Sequence, residues 1–490
     1  MTISQKNFTI LNPELKMGDI MEENSLLIEN FGPVKKANID ITPLTIFIGP
    51  NSSGKSYSSL LIHSLLNSYN ELGSDLHNKI EDSIKKFLEN DDKLSMEFKD
   101  LLSKYVNSEP EFSDNAFKYP AEKFKIILEK SFGYVFNNLV EDKLKENFSN
   151  NLNKLNQFNK YPFKFSFNNN SFVNEDGNLI LNDFHIEFDN IKDNALSNII
   201  FLTTNRDYIS IKLNYILWHN FFEKDESFAE VIFMMAISSI INRFNQKSYY
   251  LSAVGNELFK DVNNVIANDI NGCLNLSDVQ KELFVNFLKL NKDIDQGPFY
   301  TLASDLEHEL LGGEFQVKID EIKEEILFVD DECEMEFELK LTSSSIRELT
   351  PRIIYLKYFL QIGDTLIIEE PEKHINPKNQ LILVKYLVKA INEGLNIIIT
   401  THSDYILEKF NNFMRLGNAN DEIFEKLGYE KNNILDYENV SIYNFKKESK
   451  YSYIAEKIEI NETGFDENNF YEVNNELYDE SVDIIDAQKN

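Results

Sequence analysis

Apolar positions along the chain fall into short runs with strand character and longer stretches with a helical repeat. Leu26-Leu27-Ile28-Glu29-Asn30-Phe31 and Ala37-Asn38-Ile39-Asp40-Ile41 read as two strands joined by a Gly32-Pro33 turn. Leu44-Thr45-Ile46-Phe47-Ile48 is a short apolar run of buried-strand type that ends directly on Gly49. From Tyr57 to about Tyr69, Leu60, Leu61, Leu65 and Leu66 recur at helical spacing. The stretch from about Asn70 to Lys160 is polar and rich in Lys, Glu and Asn, with Leu and Phe at helical spacing, which predicts a helical insertion. Phe163 to Ile211 alternates as strands do, around an Asp176-Gly177 turn, and Trp218 to Phe244 returns to helix. Ser248 to Ala253 is a short strand, and helices fill Phe259 to Leu311 with a break at Gly297-Pro298. Gly312-Gly313 opens a strand-rich patch in which Ile326-Leu327-Phe328 can pair with Glu336 to Leu341 around Asp330-Asp331-Glu332.

From Thr342 the pattern tightens. A helix (Ile346 to Leu360), a strand (Thr365 to Ile368), a helix (Lys378 to Asn392) and a strand (Asn396 to Thr400) follow one another. That order implies parallel strands beneath helices. Beyond Gly428 the patterning is loose. The last thirty residues, Asn461 to Asn490, hold nine acids and one lysine, with enough Phe, Tyr and Ile to pack as a small acidic subdomain.

Composition narrows the class. With 42% hydrophobic and 27% charged residues the 490-residue chain is globular. The longest apolar stretch, Val231 to Ile241, is broken by Ser238 and Ser239 and is far short of the roughly 20 residues of a bilayer span, so no membrane association is expected. Met1 to Asn7 has no apolar core and predicts no secretory signal. Cys273 and Cys333 are too few and too isolated for a disulfide framework or a zinc site, which fits the cytoplasm. Charge is the unusual quantity: 49 basic against 81 acidic residues give −32, a field that repels phosphate backbones and disfavours non-specific nucleic-acid binding.

The strongest chemical signal is Gly49-Pro50-Asn51-Ser52-Ser53-Gly54-Lys55-Ser56. It matches G-x-x-x-x-G-K-[ST], between an apolar strand and a helix. Gly49 and Gly54 let the backbone wrap a phosphate, with the N–H groups of Asn51, Ser52 and Ser53 available to point inward. Lys55 supplies a cation near the β- and γ-phosphates of ATP, and Ser56 a hydroxyl for Mg²⁺. At ordinary residue frequencies the pattern arises by accident in roughly one or two chains per hundred of this length, and the strand-before, helix-after context lowers that further.

Three further blocks accompany it. Leu366-Ile367-Ile368-Glu369-Glu370-Pro371-Glu372 is an apolar strand ending on adjacent carboxylates, whose side chains point to opposite sides. Glu369 can face the Mg²⁺ shell while Glu370 serves as general base for the attacking water. Ile397-Ile398-Ile399-Thr400-Thr401-His402-Ser403 places His402 at the exit of the next strand, where it can sense the γ-phosphate. Thr342-Ser343-Ser344-Ser345-Ile346-Arg347-Glu348-Leu349 is a hydroxyl-rich helix start; a capping box from Ser345 to Glu348 accounts for it locally, and the same bare N–H groups can bind an anion.

Taken together the blocks resemble an ABC-type ATPase head: cradle at Gly49 to Ser56, signature at Ser344 to Glu348, carboxylate strand at Leu366 to Glu370 and switch histidine at His402. The wording is similar to OLD-like and RecF/SMC-like heads of the AAA family, in Asn30-Phe31-Gly32-Pro33 before the cradle and Glu369-Glu370-Pro371-Glu372-Lys373-His374 with Pro377 after it. Ser343 to Leu349, Tyr355-Leu356-Lys357-Tyr358 and Thr400 to Ile406 with Asn411-Asn412 resemble the ATPase subunit of PARIS-type anti-phage systems, in which the ATPase holds and releases a separate toxic nuclease.

That resemblance implies an α/β fold, a mixed or parallel sheet with flanking helices, split by a large, mostly helical insertion. It divides the chain into an N-terminal ATPase lobe (24–69), the insertion with a strand-rich patch (70–247), the remainder of the head (248–425) and a small acidic C-terminal subdomain (426–490). It also implies slow, regulatory hydrolysis of ATP with Mg²⁺ bound by Ser56 and Glu369. Because an ABC-type cradle and signature lie on opposite faces, Ser344, Ser345 and Arg347 of one chain would cap ATP on a second copy, giving a homodimer or larger ring. An effector nuclease and a phage-encoded trigger are the implied partners.

Some positions depart from the pattern. The first acid of the carboxylate strand is usually aspartate, so the longer Glu369 is expected to reach Mg²⁺ through water. The signature lacks the Gly-Gly of transporter heads, and Tyr250-Leu251-Ser252-Ala253 lacks the arginine that relatives carry next, leaving the glutamine-loop equivalent unplaced. Two rivals stand beside the defence reading. A RecF/SMC-like DNA-repair ATPase is opposed by the charge and by the absence of sustained heptads in the insertion. A self-contained OLD-type nuclease is opposed by the lack of a second carboxylate cluster after His402.

Overall fold

The computed structural model describes residues 24–67, 143–144, 147–148, 164–169, 186–190, 196–202, 208–214, 247–253, 277–288, 290, 294–319, 324–465, 478–482 and 484–485. The chain divides into two compact units, one of residues 1–26, 64–146 and 165–247, the other of residues 27–63, 147–164 and 248–490.

The described elements begin with β1 (Asn24–Phe31), β2 (Val34–Asp40), β3 (Leu44–Ile48) and α1 (Lys55–Asn67). Further along, the described residues include β4 (Lys164–Asn169), β5 (Ile186–Asn190), β6 (Leu196–Leu202) and β7 (Tyr208–Asn214). In the first unit β5, β6 and β7 form an antiparallel sheet. These strands lie in the stretch whose sequence alternates. The Asp176-Gly177 turn, the Trp218 to Phe244 helix and most of the helical stretch expected from Asn70 to Lys160 fall outside the described residues.

The second unit continues with β8 (Ser248–Leu251), α2 (Asp278–Leu288), α3 (Tyr300–Leu311), β9 (Gly313–Ile319), β10 (Glu324–Asp330) and β11 (Glu336–Glu338). Then follow α4 (Ser344–Ile354), β12 (Thr365–Glu369), α5 (Pro377–Asn392), β13 (Asn396–Thr400), α6 (Asp404–Arg415), α7 (Asp421–Leu427), β14 (Val440–Lys447), β15 (Tyr453–Lys457), β16 (Ile460–Asn461) and β17 (Gly464–Phe465). Its main sheet runs β1-β2-β15-β14-β3-β13-β12-β8. From β14 to β8 every neighbour pair is parallel, and β15 turns antiparallel to β14. This is the α/β class with a mixed, mainly parallel sheet and flanking helices.

Every residue of β3, β12 and β13 is buried. A strand covered on both faces needs apolar side chains on both, so Leu-Thr-Ile-Phe-Ile and Asn-Ile-Ile-Ile-Thr run without alternation. Helix α5 packs against both α3 and α6, with Leu383, Val384, Leu387 and Val388 beside Leu306, Leu310, Phe410 and Phe413 in one core. The hairpin of β10 and β11 pairs Phe328 with Phe337 around the acidic turn, as the sequence pattern predicts.

Three local expectations change. The segment after Gly428 is not all a separate subdomain, because β14 pairs with β3 and β15 with β2, inside the main sheet. Its polar residues hide this from a hydropathy reading. Ser441 is buried because its hydroxyl donates to the Asp40 carbonyl (2.8 Å), and Tyr443 because its hydroxyl accepts the Asp40 N–H (2.6 Å).

The helix expected from Ile346 to Leu360 ends at Ile354 and passes into a π-helical turn over Tyr355–Phe359. Pro351 has no N–H to donate within the helix, and the register changes shortly after it. The cap of α4 is Ser343, which accepts the Ile346 N–H at 3.3 Å, and not a Ser345–Glu348 box. Glu348 is instead buried against Arg352, 3.2 Å away.

Candidate functional site

Parallel register brings three strand exits together. Phe47 of β3 stands opposite Thr400 of β13, and Thr400 opposite Glu369 of β12. The exits are laced one step further: Thr401 N–H donates to the Phe47 carbonyl (3.0 Å) and Glu370 N–H to the Thr400 carbonyl (2.8 Å). Gly49 and the cradle, Glu370, and Thr401-His402 therefore leave the sheet side by side, at the carboxyl edge where open α/β sheets bind ligands.

The cradle's backbone follows from its glycines. Gly49 has φ +129° and Gly54 φ +106°, and Ser52 holds a left-handed φ of +60°. A Cβ on Gly54 would lie 2.3 Å from Val34 Cγ2, and one on Gly49 2.7 Å from the Phe445 carbonyl oxygen of β14. Helix α1 starts at once, with no acid in its first turn to oppose an anion at its positive end. Asn51, Ser52 and Ser56 are exposed, whereas Ser53 Oγ is buried without a hydrogen-bond partner.

Lys55 is buried and its Nζ donates to the carbonyls of Gly49 and Pro50, each at 2.9 Å. Burial lowers its pKa to about 8, against the opposing pull of Glu370, Glu372 and Glu369. All three carboxylates thus lie within electrostatic reach of the cradle lysine.

Glu369 is buried, its Oε2 accepting the Ala253 N–H (3.1 Å) while Oε1 makes no hydrogen bond. Beside it the Tyr250 hydroxyl meets Ser59 at 3.1 Å, its pKa raised by burial and by the charge of Glu369. Glu370 holds φ +46° and His374 φ +58°, conformations that cost side-chain-bearing residues energy and concentrate at functional sites. His402 is exposed, with its backbone N–H donated to Glu372 Oε1 at 2.7 Å. Partial desolvation, then the charge on Lys55, holds its imidazole below the usual pKa, opposed by Glu370 and Glu372.

These residues fit ATP with Mg²⁺. Glu369 Oε1 is an unengaged carboxylate oxygen, and the exposed Ser56 sits on the first turn of α1. Among the described residues no group of three or more His, Cys, Asp or Glu side chains forms a metal cage, so the remaining ligands would be phosphate and water oxygens, the usual arrangement for Mg²⁺.

The signature residues stand apart. Ser345 Oγ donates to the His374 carbonyl (2.9 Å), Arg347 to the Thr342 carbonyl, and Ser344 is exposed. None of the three hydrogen-bonds to the cradle. Arg352, deeper in α4, donates to the Pro371 carbonyl at 2.9 Å. Sequence reasoning attached no role to Glu372, Thr401, Ala253 or Arg352. Only Glu372 and Thr401 carried a signal, as a third acid and a second threonine beside blocks already marked.

Three solved structures are similar at low identity. They are an Smc head bound to the C-winged helix domain of ScpA (10% identical, covering 89% of this chain and 97% of that one, TM-score 0.34); the SMC head domain from Thermotoga maritima (10%, 89% and 98%, 0.32); and an Smc head with an extended coiled coil bound to the C-terminal domain of ScpA, derived from Pyrococcus furiosus (9%, 95% and 99%, 0.34). Among curated proteins none matches the chain. The AAA ATPase domain family matches residues 21–407, across the cradle, the carboxylate strand and His402, and the chain belongs to that family.

Proposed function

We propose that this chain is a regulatory ATPase of ABC type that works as a homodimer, or a ring built on dimers, and controls a separate effector nuclease in anti-phage defence. The observation that carries the ATPase reading is the convergence of Lys55, Glu369, Glu370 and His402 at one sheet edge. In this reading the backbone N–H groups of Asn51 to Lys55 and the Lys55 ammonium hold the β- and γ-phosphates. Glu370 takes a proton from the attacking water as its oxygen bonds to the γ-phosphorus and the bond to the leaving ADP oxygen breaks. His402 donates to the γ-phosphate. Ser56 and Glu369 would hold Mg²⁺, which when bound neutralises charge on the phosphate oxygens.

Lys55 gives a pH prediction. Its pKa of about 8 in the nucleotide-free protein rises when phosphate oxygens surround it, so binding takes up a proton above that pH. ATP affinity is expected to fall as pH rises past 8, by up to ~10-fold per unit, and calorimetry in buffers of different ionisation enthalpy should report the proton.

Dimerisation is supported by the position of Ser344, Ser345 and Arg347, which do not reach their own cradle. A Lys55→Ala chain mixed with an Arg347→Ala chain should regain ATPase activity absent from each alone, because one complete site forms between them. Lack of complementation at concentrations where the wild type dimerises would exclude a shared site.

For the effector, the test is co-purification of a neighbouring nuclease with and without ATP. Stoichiometric DNA binding at physiological salt would favour the repair reading instead. Against it, Lys35, Lys446 and Lys457 on β2, β14 and β15 are neutralised by Glu448, Glu456 and Asp40. Among the described residues no helix is long and apolar enough to cross a membrane. The two isolated cysteines support a reducing, cytoplasmic setting.

A further inference from the structure

Building on the reading of Glu370 and His402 above, we infer that Glu372 is a positioning residue for hydrolysis, a carboxylate that locks the exit of β13 to the exit of β12 and holds His402 and Glu370 at one reacting group. Both of its oxygens are committed. Oε1 accepts the His402 backbone N–H at 2.7 Å and Oε2 accepts the Thr401 hydroxyl at 3.0 Å. Ionised acceptors make the stronger class of hydrogen bond, and these two reach successive residues on the neighbouring strand exit.

The bonds extend in both directions. Thr401 Oγ1 accepts the Ser403 N–H (3.0 Å), and Ser403 Oγ donates to Gln380 of α5 (2.6 Å) and caps α6 through the Ile406 N–H (3.4 Å). On the other side the loop bearing Glu372 is tied at each end, by Arg352 to the Pro371 carbonyl and by Ser345 to the His374 carbonyl. Lys373 N–H closes a turn onto the Glu370 carbonyl at 3.0 Å, directly behind the base. Glu372 is therefore the side chain through which the base's loop grips the histidine's loop.

Both of its oxygens are engaged by the neighbouring strand exit, so its effect is on geometry and field. Glu372 also raises the basicity of His402. Loss of its charge must move protonation of His402 to lower pH.

The test compares Glu372→Gln and Glu372→Ala with wild type, using Glu370→Gln and His402→Ala as references for the site itself. Glu372→Ala is expected to lower kcat ~10-fold to ~100-fold, with ATP affinity within ~3-fold of wild type, the size of loss that small displacements of reacting groups cause. Glu372→Gln keeps the shape and one acceptor, so it folds even where the alanine variant does not. Its acid limb in the pH–rate profile should shift to lower pH, which a merely structural contact would not produce. An unshifted limb in Glu372→Gln, or parallel losses of kcat and ATP affinity in a folded variant, would overturn the inference. Wild-type hydrolysis by both Glu370→Gln and His402→Ala would instead remove the reading of the site on which it rests.

Discussion

Glu370→Gln is expected to bind ATP as the wild type does, to hydrolyse it ~10²-fold to ~10⁴-fold more slowly, and to accumulate as a closed dimer. The substitution preserves volume and hydrogen-bonding capacity while removing the group that accepts the water proton. Backbone strain at this position is unaffected, since glutamine inherits the same φ of +46°. The Glu370 N–H to Thr400 carbonyl bond, 2.8 Å, does not involve the side chain and remains. Removing the charge also takes away one of the carboxylates that favour protonated Lys55, which modestly tightens the link between pH and ATP binding. Rate measurements under single-turnover conditions, with light scattering after chromatography in ATP, check both halves. Normal hydrolysis would falsify the assignment of the base.

Gly49→Ala carries the second large effect. The methyl would stand 2.7 Å from the Phe445 carbonyl oxygen and 3.1 Å from Phe445 Cβ, at a φ of +129°. Conformational strain and collision with a sheet backbone act together, and neither can be relieved by moving a flexible side chain. A loss of about 3 kcal/mol or more is expected, along with ATP binding, because relief requires the cradle's N–H groups to turn. Gly312→Ala is the control. Its φ of +65° is also left-handed, but nothing lies within 4 Å of the added carbon, so only the conformational cost of about 1–2 kcal/mol applies. Denaturant midpoints for the two variants separate collision from conformation; equal shifts would show that β14 does not constrain the cradle.

That second prediction depends on a strand the sequence leaves obscure. Val440-Ser441-Ile442-Tyr443-Asn444-Phe445 mixes polar with apolar residues, and its partner β3 lies at the other end of the chain. Ser441 and Tyr443 are satisfied by Asp40, a contact no local pattern can reveal. The π-helical turn at Tyr355–Phe359 is similar, since Leu-Lys-Tyr-Phe reads as ordinary helix. There the buried Lys357 pairs with Glu307 of α3. By contrast β12, α5 and β13 lie within a residue or two of their expected bounds, because their apolar runs are long and their caps local.

For the site, the chemical types were in the sequence: the cradle's glycines and lysine, adjacent acids after an apolar strand, a histidine after the next. What the tertiary structure decided is proximity. The register of Phe47, Thr400 and Glu369 sets three distant segments abreast, and the hydrogen bonds of Glu372, Ala253 and Arg352 determine how tightly they stay there. The sequence alone could determine the strand-loop-helix at Gly49 to Ser56, because its backbone geometry is dictated by glycines within a single turn. The lattice of contacts around it depends on pairing between residues hundreds of positions apart, which only the folded sheet brings within bonding distance.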